Sequence, residues 1–199
     1  MYSGVVEVVR ALVEAGANLN QAMTDGATPL YIAAQEGKVE VVRALVEAGA
    51  DLNQPMTDGA TPLFIAAQKG MVEVVRTLVE AGAELNQAMT DGATPLYTAA
   101  QKGEVEVVRA LVEAGADLNQ ARTAGATPLF IAAQEGKVEV VRGLVDAGAD
   151  LHQAMTDETT PLYIAAQNGK VEVVRALVEA GADLNQARTD GATPLYIAG

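Results

Sequence analysis

The sequence predicts an all-α solenoid of stacked helix-turn-helix units with projecting hairpin loops. Three observations predict it. Six of the seven prolines fall at 29, 62, 95, 128, 161 and 194, a constant 33 residues apart, and a fixed period of that size marks a repeat array. Within each period, two apolar blocks at helical spacing are each closed by a glycine. Between periods the chain turns polar and carries a tight-turn pair such as Asp58-Gly59.

In chain order, residues 1–24 match the second helix and hairpin of a unit whose first helix is absent. Complete units follow at 25–57, 58–90, 91–123, 124–156 and 157–189, each close to DGATPLYIAAQEGKVEVVRALVEAGADLNQAMT. Residues 190–199 supply a hairpin and the start of one more first helix. In the first complete unit Thr28 offers an N-cap oxygen, and Pro29 is preset for the first helical turn. Gly37 is placed to stop this helix of about two turns. A second helix starts at Lys38 or Val39. Val41, Val42, Leu45 and Val46 form its apolar stripe, and Gly49 supplies a left-handed C-cap. Its polar face carries Glu40, Arg43 and Glu47, spaced for weak surface pairs. Neither helix is long enough to stand alone in water, so stacking has to supply the stability. The polar stretch from Ala50 to Ala60 makes a protruding hairpin-like loop that joins one unit to the next.

Composition narrows the functional classes. The chain is 50% apolar and 4% aromatic, lacks Trp, and has a net charge of −13; it is too apolar for disorder and too acidic to bind nucleic acid through a basic patch. The acid is spread over the second helices and hairpin bases in regularly repeated rows. No run approaches the roughly 18 apolar residues of a membrane span, because Glu or Arg interrupts every Val-rich stretch. The absence of cysteine excludes disulfides and thiol nucleophiles, and together with the lack of a signal peptide it predicts a cytoplasmic location.

Catalysis fails by inventory. With one serine, Ser3, and one histidine, His152, no nucleophile-base arrangement assembles. The Gly37-Lys38 pair lacks the remaining residues of a phosphate loop. Glu40 and Glu47 lie on a solvated face beside Arg43, with nothing to raise a pKa. His152 stands where other units have Asn, near Asp150 and Asp157, without further ligands at metal-binding spacing. No cofactor and no metal are expected. The Thr-Pro pairs read as helix caps and not as modification sites.

The recurring TPL followed by an aromatic residue, then IAAQ, a glycine, VEVVRALVEAGADLN and DGATPL, closely resembles the ankyrin repeat across the whole chain. The resemblance implies an L-shaped stack of antiparallel helix pairs, hairpins at right angles, and a concave groove that binds other proteins. The sequence departs from the family pattern in three rows. The family's usual His after TPL is Tyr31, Phe64, Tyr97, Phe130, Tyr163 and Tyr196, rings that contribute mainly packing area. The His after the inter-helix glycine is Lys38, Met71, Glu104, Lys137 and Lys170, which removes a polar tie. The hairpin Asp two residues before the Asp-Gly pair is Met23, Met56, Met89, Arg122, Met155 and Arg188, which leaves the order of one hairpin against the next without its usual carboxylate. The Asn row, with Leu eight positions upstream as in Leu45 to Asn53, resembles segments that asparaginyl hydroxylases modify.

The family's contact positions, carried over residue by residue, give the candidate partner-binding surface. In the first complete unit they are Met23, Thr24, Asp25, Ala27, Gln35 and Glu36. In the second they are Met56, Thr57, Asp58, Gln68 and Lys69, and in the third Met89, Thr90, Asp91, Gln101 and Lys102. The fourth contributes Arg122, Thr123, Gln134 and Glu135, and the fifth Met155, Thr156, Asp157, Gln167 and Asn168. At roughly 10 Å between neighbouring helices, six units form a stripe on the order of 50 Å long. The Thr and Gln rows do not vary, and only the Met/Arg, Ala/Thr and Glu/Lys/Asn rows show much change. Either the protein partner is itself repetitive or weakly bound, or the surface has never been tuned.

Substitutions crowd between 143 and 159. Gly143 lies inside a helix, and Glu158 takes a turn position that is Gly in every other copy and calls for positive φ. The junction there is expected to be the weakest in the stack. At the ends, Val8, Val9, Leu12, Val13, Leu195 and Ile197 are expected to be partly uncovered. Three readings of these ends stand side by side: a fragment of a longer array, ends that fray, or head-to-tail docking of one copy on the next, which would propagate as a filament.

Overall fold

The computed structural model describes residues 3–199; Met1 and Tyr2, which open the partial unit 1–24, lie outside the described residues. The helices are α1 (Ser3–Glu14), α2 (Pro29–Gln35), α3 (Val39–Glu47), α4 (Pro62–Gln68), α5 (Val72–Glu80), α6 (Pro95–Lys102), α7 (Val105–Glu113), α8 (Pro128–Glu135), α9 (Val138–Asp146), α10 (Pro161–Gln167), α11 (Val171–Glu179) and α12 (Pro194–Ala198). They form two layers. In one, α2, α4, α6, α8, α10 and α12 pack in succession; in the other, α1, α3, α5, α7, α9 and α11 do so, and each complete pair also packs across the layers.

Each first helix starts for the reason the Thr-Pro pair implies. Thr28 sits in extended backbone, and its Oγ1 accepts the Tyr31 N–H at 3.1 Å; the bond recurs at Thr61, Thr94, Thr127, Thr160 and Thr193. The first five of these threonines are buried, so their hydroxyls are used as caps inside the fold. The second helices end in a Schellman motif: Gly49 N–H donates to the Val46 carbonyl and Ala50 N–H to the Leu45 carbonyl, both at 3.0 Å. The core lies between the layers. Leu63, Leu96, Val75, Val108, Leu78 and Leu111 are essentially inaccessible there, while Ala66, Ala67, Ala99 and Ala100 let neighbouring first helices approach closely.

The hairpins are ordered, which corrects the expectation drawn from the missing carboxylate. The tie is made by main chain. Thr57 N–H donates to the Asp25 carbonyl at 3.0 Å, and the same bond joins Thr90 to Asp58 (2.9 Å), Thr123 to Asp91 (3.2 Å), Thr156 to Ala124 (3.0 Å) and Thr189 to Asp157 (3.3 Å). The Asp carboxylate is spent locally, accepting the N–H two residues on, as from Ala27 to Asp25 at 3.0 Å. Side chains at Met23 and Met56 are therefore free of that structural duty, whereas Arg122 and Arg188 add an ion pair to the Asp of the preceding hairpin.

A second ladder runs along the other side of each unit. Asn20 Oδ1 accepts the Asp51 N–H, Asn53 that of Glu84, Asn86 that of Asp117 and Asn119 that of Asp150, all at 2.8–2.9 Å and 31 residues apart. The series stops at His152, which makes no such bond to Asp183 among the described residues. Glu158 has φ 64, as its place in the turn requires. Outside the crowded 143–159 segment, Ala124 is also at φ 72; the Ala-Gly pair standing where other copies have Asp-Gly is the sequence signal that sequence reasoning missed.

Gly143 is exposed and a Cβ there would meet nothing within 4 Å, so Gly143→Ala is expected to stabilise by about 1 kcal/mol through helix propensity. Glu158→Gly is expected to add about 1 kcal/mol by releasing left-handed strain. Hydrogen exchange should show amides from 143 to 159 less protected than those of 58–123 in the parent chain, and equal protection would overturn the expectation.

Candidate partner-binding groove

The Thr row, Thr24, Thr57, Thr90, Thr123, Thr156 and Thr189, is exposed at every copy, as is the row Glu36, Lys69, Lys102, Glu135 and Asn168. Gln35, Gln68, Gln101 and Gln134 are half-buried, and Gln167 is exposed. Met23 is exposed, whereas Met56, Met89, Met155, Arg122 and Arg188 are half-buried along the hairpin ridge. Met23 and Glu36 line one concavity of about 340 Å³ together with Ile32 and Lys38. One expected contact row is corrected: Ala27, Ala60, Ala93, Ala126 and Thr159 are buried, because the residue after the turn glycine points back beneath the hairpin. Most of the variation in the groove thus falls in the exposed Glu/Lys/Asn row and the largely half-buried Met/Arg row.

Beneath the hairpins lies the aromatic row. Tyr31, Phe64, Tyr97, Phe130 and Tyr163 are buried, in keeping with their packing role, yet the tyrosines also reach the polar ridge. Burial, and then Asp58 and Asp25, push the Tyr31 hydroxyl above its ordinary range. Where Arg replaces Met, an ion pair forms with the Asp of the preceding hairpin. Arg122 Nη2 lies 2.6 Å from Asp91 Oδ2, and its guanidinium carbon is 5.7 Å from the Tyr97 ring centroid. The Asp91 carboxyl is held below the usual range by the Ala93 N–H and by Arg122. Arg188 repeats the ion pair, 3.2 Å from Asp157, whose carboxyl is lowered chiefly by Thr159. Both arginines are already partly neutralised.

The row after the inter-helix glycine has a role that the sequence did not show. Met71 packs over Gly37, Glu104 over Gly70, Lys137 over Gly103 and Lys170 over Gly136. Each side chain reaches back to the preceding helix pair, replacing the lost polar tie with a contact across the junction.

Among the described residues no three metal-ligating side chains cluster, and no helix is long and apolar enough to cross a membrane. His152 is exposed. In the hydroxylation-like row, Asn20, Asn53, Asn86 and Asn119 are engaged as inter-unit acceptors. At the ends of the stack Val8, Leu12 and Leu195 are exposed, and Val9, Val13 and Ile197 are half-buried.

Two layers of capped helix pairs with a ridge of stacked turns define a helical repeat solenoid. The chain belongs to the ankyrin repeat family: the model of ankyrin repeats in three copies matches residues 1–89, 84–155 and 147–199. Among solved structures it is similar to the human ASB11 ankyrin repeat domain, with 30% identity and a TM-score of 0.86 over 98% of this chain and 88% of that one. No curated protein sequence matches. Ankyrin repeats are in general protein–protein interaction modules.

Proposed function

We propose that residues 1–199 form one ankyrin-repeat domain that binds a protein partner, without catalysis or cofactor, through the groove between the hairpin ridge and the first helices. The observation that carries this reading is the uninterrupted row of exposed threonines on hairpins tied to one another by main-chain bonds. Such a surface is ordered before any partner arrives, which lowers the entropy lost on binding. The five complete units at 25–57, 58–90, 91–123, 124–156 and 157–189 each contribute one segment of it.

The test uses 12-residue peptides selected from a displayed random library against the immobilised chain. Thr90→Arg combined with Gln101→Arg places bulk in the centre of the groove at positions that are not buried. It is expected to weaken the selected peptides at least tenfold while leaving the unfolding midpoint unchanged. Undiminished binding would remove the groove as the site. A second reading, head-to-tail association of copies, is favoured by the exposed apolar side chains Val171, Val178, Leu184 and Leu195 around a concavity of about 550 Å³. Light scattering of the same preparations decides it: growth with concentration supports the contact, and a monomer at millimolar concentration refutes it.

A further inference from the structure

We infer that the partner segment in the groove presents an acidic side chain, Asp or Glu, to the third helix pair, where Lys102 and Lys137 make the groove locally cationic; this rests on the groove reading above. Two charged rows meet at the ends of the first helices. One is Glu36, Lys69, Lys102, Glu135 and Asn168, and the other is Lys38, Met71, Glu104, Lys137 and Lys170. Because Met71, Glu104, Lys137 and Lys170 fold back over the glycine of the preceding pair, their charges are matched across the junction, whereas Lys38 in the first complete unit pairs within it.

Matched that way, the two residues at a junction are of opposite sign at the second and fourth pairs, although among the described residues only Glu36 and Lys38 form an ion pair in these rows. At the first pair, Glu36 is in an ion pair with Lys38 and the residue reaching back is the neutral Met71. The Glu104 carboxylate lies against Gly70, next in the chain to Lys69. Lys170 reaches back over Gly136, next to Glu135. At the third pair the residue reaching back is itself a lysine. A Cβ on Gly103 would lie 2.9 Å from Lys137 Cδ, so the stem of Lys137 lies over Gly103, the next residue in the chain after Lys102, and neither lysine makes an ion pair among the described residues. The same pair carries Arg122 over Tyr97 on its hairpin side.

The net charge of −13 does not cancel this spot. Screening falls off over about 8 Å at physiological ionic strength, so a carboxylate seated between the two lysines responds to them more than to acids on the outer helices. An extended segment rises about 3.3 Å per residue, and neighbouring units are roughly 10 Å apart. Residues three before and three after the anchor therefore face the compensated second and fourth pairs, and a single acidic residue at a fixed position is the pattern that fits.

The experiment compares selected 12-residue peptides for their binding to the whole chain and to two charge-reversal variants. Lys102→Glu with Lys137→Glu is expected to weaken them at least tenfold, and Lys38→Glu with Lys170→Glu less than threefold. The peptides should share one acidic position, and raising the salt concentration should weaken them. Peptides that lose affinity for Thr90→Arg/Gln101→Arg but not for Lys102→Glu/Lys137→Glu would overturn the anchor and leave the groove standing. Peptides indifferent to both variants, or a selection that yields none, would overturn the groove reading and the anchor with it. Comparable binding of a 12-nucleotide single-stranded DNA would overturn the assignment to an acidic protein segment.

Discussion

Replacing Gly59 by Ala should destabilise the protein by about 3 kcal/mol, the sum of a left-handed conformational penalty and a disrupted inter-hairpin bond. Gly59 has φ 90, and a Cβ there would lie 2.9 Å from the Met89 Cα and 3.0 Å from the Thr90 nitrogen. Both are backbone atoms, so no rotamer change relieves the clash. The next hairpin has to move, and the Thr90 N–H to Asp58 carbonyl bond, 2.9 Å long, is strained or lost. Gly82 provides the internal control: its φ is also 90, but the space beside it is open. Gly82→Ala should therefore carry only the conformational cost of about 1–2 kcal/mol. Urea denaturation of the two variants separates the terms. Equal losses would mean that close stacking of the hairpins contributes nothing. The contrast at Glu158 is consistent: the Thr189–Asp157 bond beside that side chain is the longest of the inter-hairpin series, 3.3 Å.

Leu96→Ala should cost about 3 kcal/mol, within the range for truncating a buried leucine, and should change the shape of the unfolding curve as well as its midpoint. Leu96 is 1% exposed, in α6 between α4 and α8. In an array whose units touch only their neighbours, weakening the middle uncouples two flanks that still fold. Urea unfolding monitored by circular dichroism should become biphasic. Leu195 is the same residue type at the equivalent place in α12 but is 82% exposed, so Leu195→Ala should change stability by no more than about 0.5 kcal/mol. A single unshifted transition in Leu96→Ala would show that stability is not transmitted unit by unit.

The fold was legible because each unit announces its own boundaries. Thr28, Pro29, Gly37 and Gly49 each act through neighbours a few residues away in the chain, and the 33-residue period repeats the message. Interactions spanning one period were harder to read. The Asn ladder joins residues 31 apart through a side-chain oxygen and a main-chain N–H, and no local preference of Asn encodes that pairing. The hairpin tie uses a carbonyl, which every residue possesses, so the loss of a carboxylate at Met23 misled. Within the groove, exposure of the Thr row follows from its place at the turn, while Ala27 was misplaced because a small residue beside a glycine reads equally as loop or as floor. The charge pattern was hidden for a different reason: Lys137 belongs in sequence to the fourth unit but lies in space against Gly103 of the third.

The hairpin bonds and the Asn ladder share a property of topology. Every one of them connects successive hairpins or adjacent units, and the main helix–helix contacts join only helices of one unit or of neighbouring units. A tensile load applied at the two ends is therefore carried by the junctions in series, each bearing the full force, with no parallel path to share it. Such a molecule extends like a spring until the least tied junction opens. The ladder lacks its rung between His152 and Asp183, and the turn there carries strain at Glu158, so rupture begins at that place while the units before it stay intact.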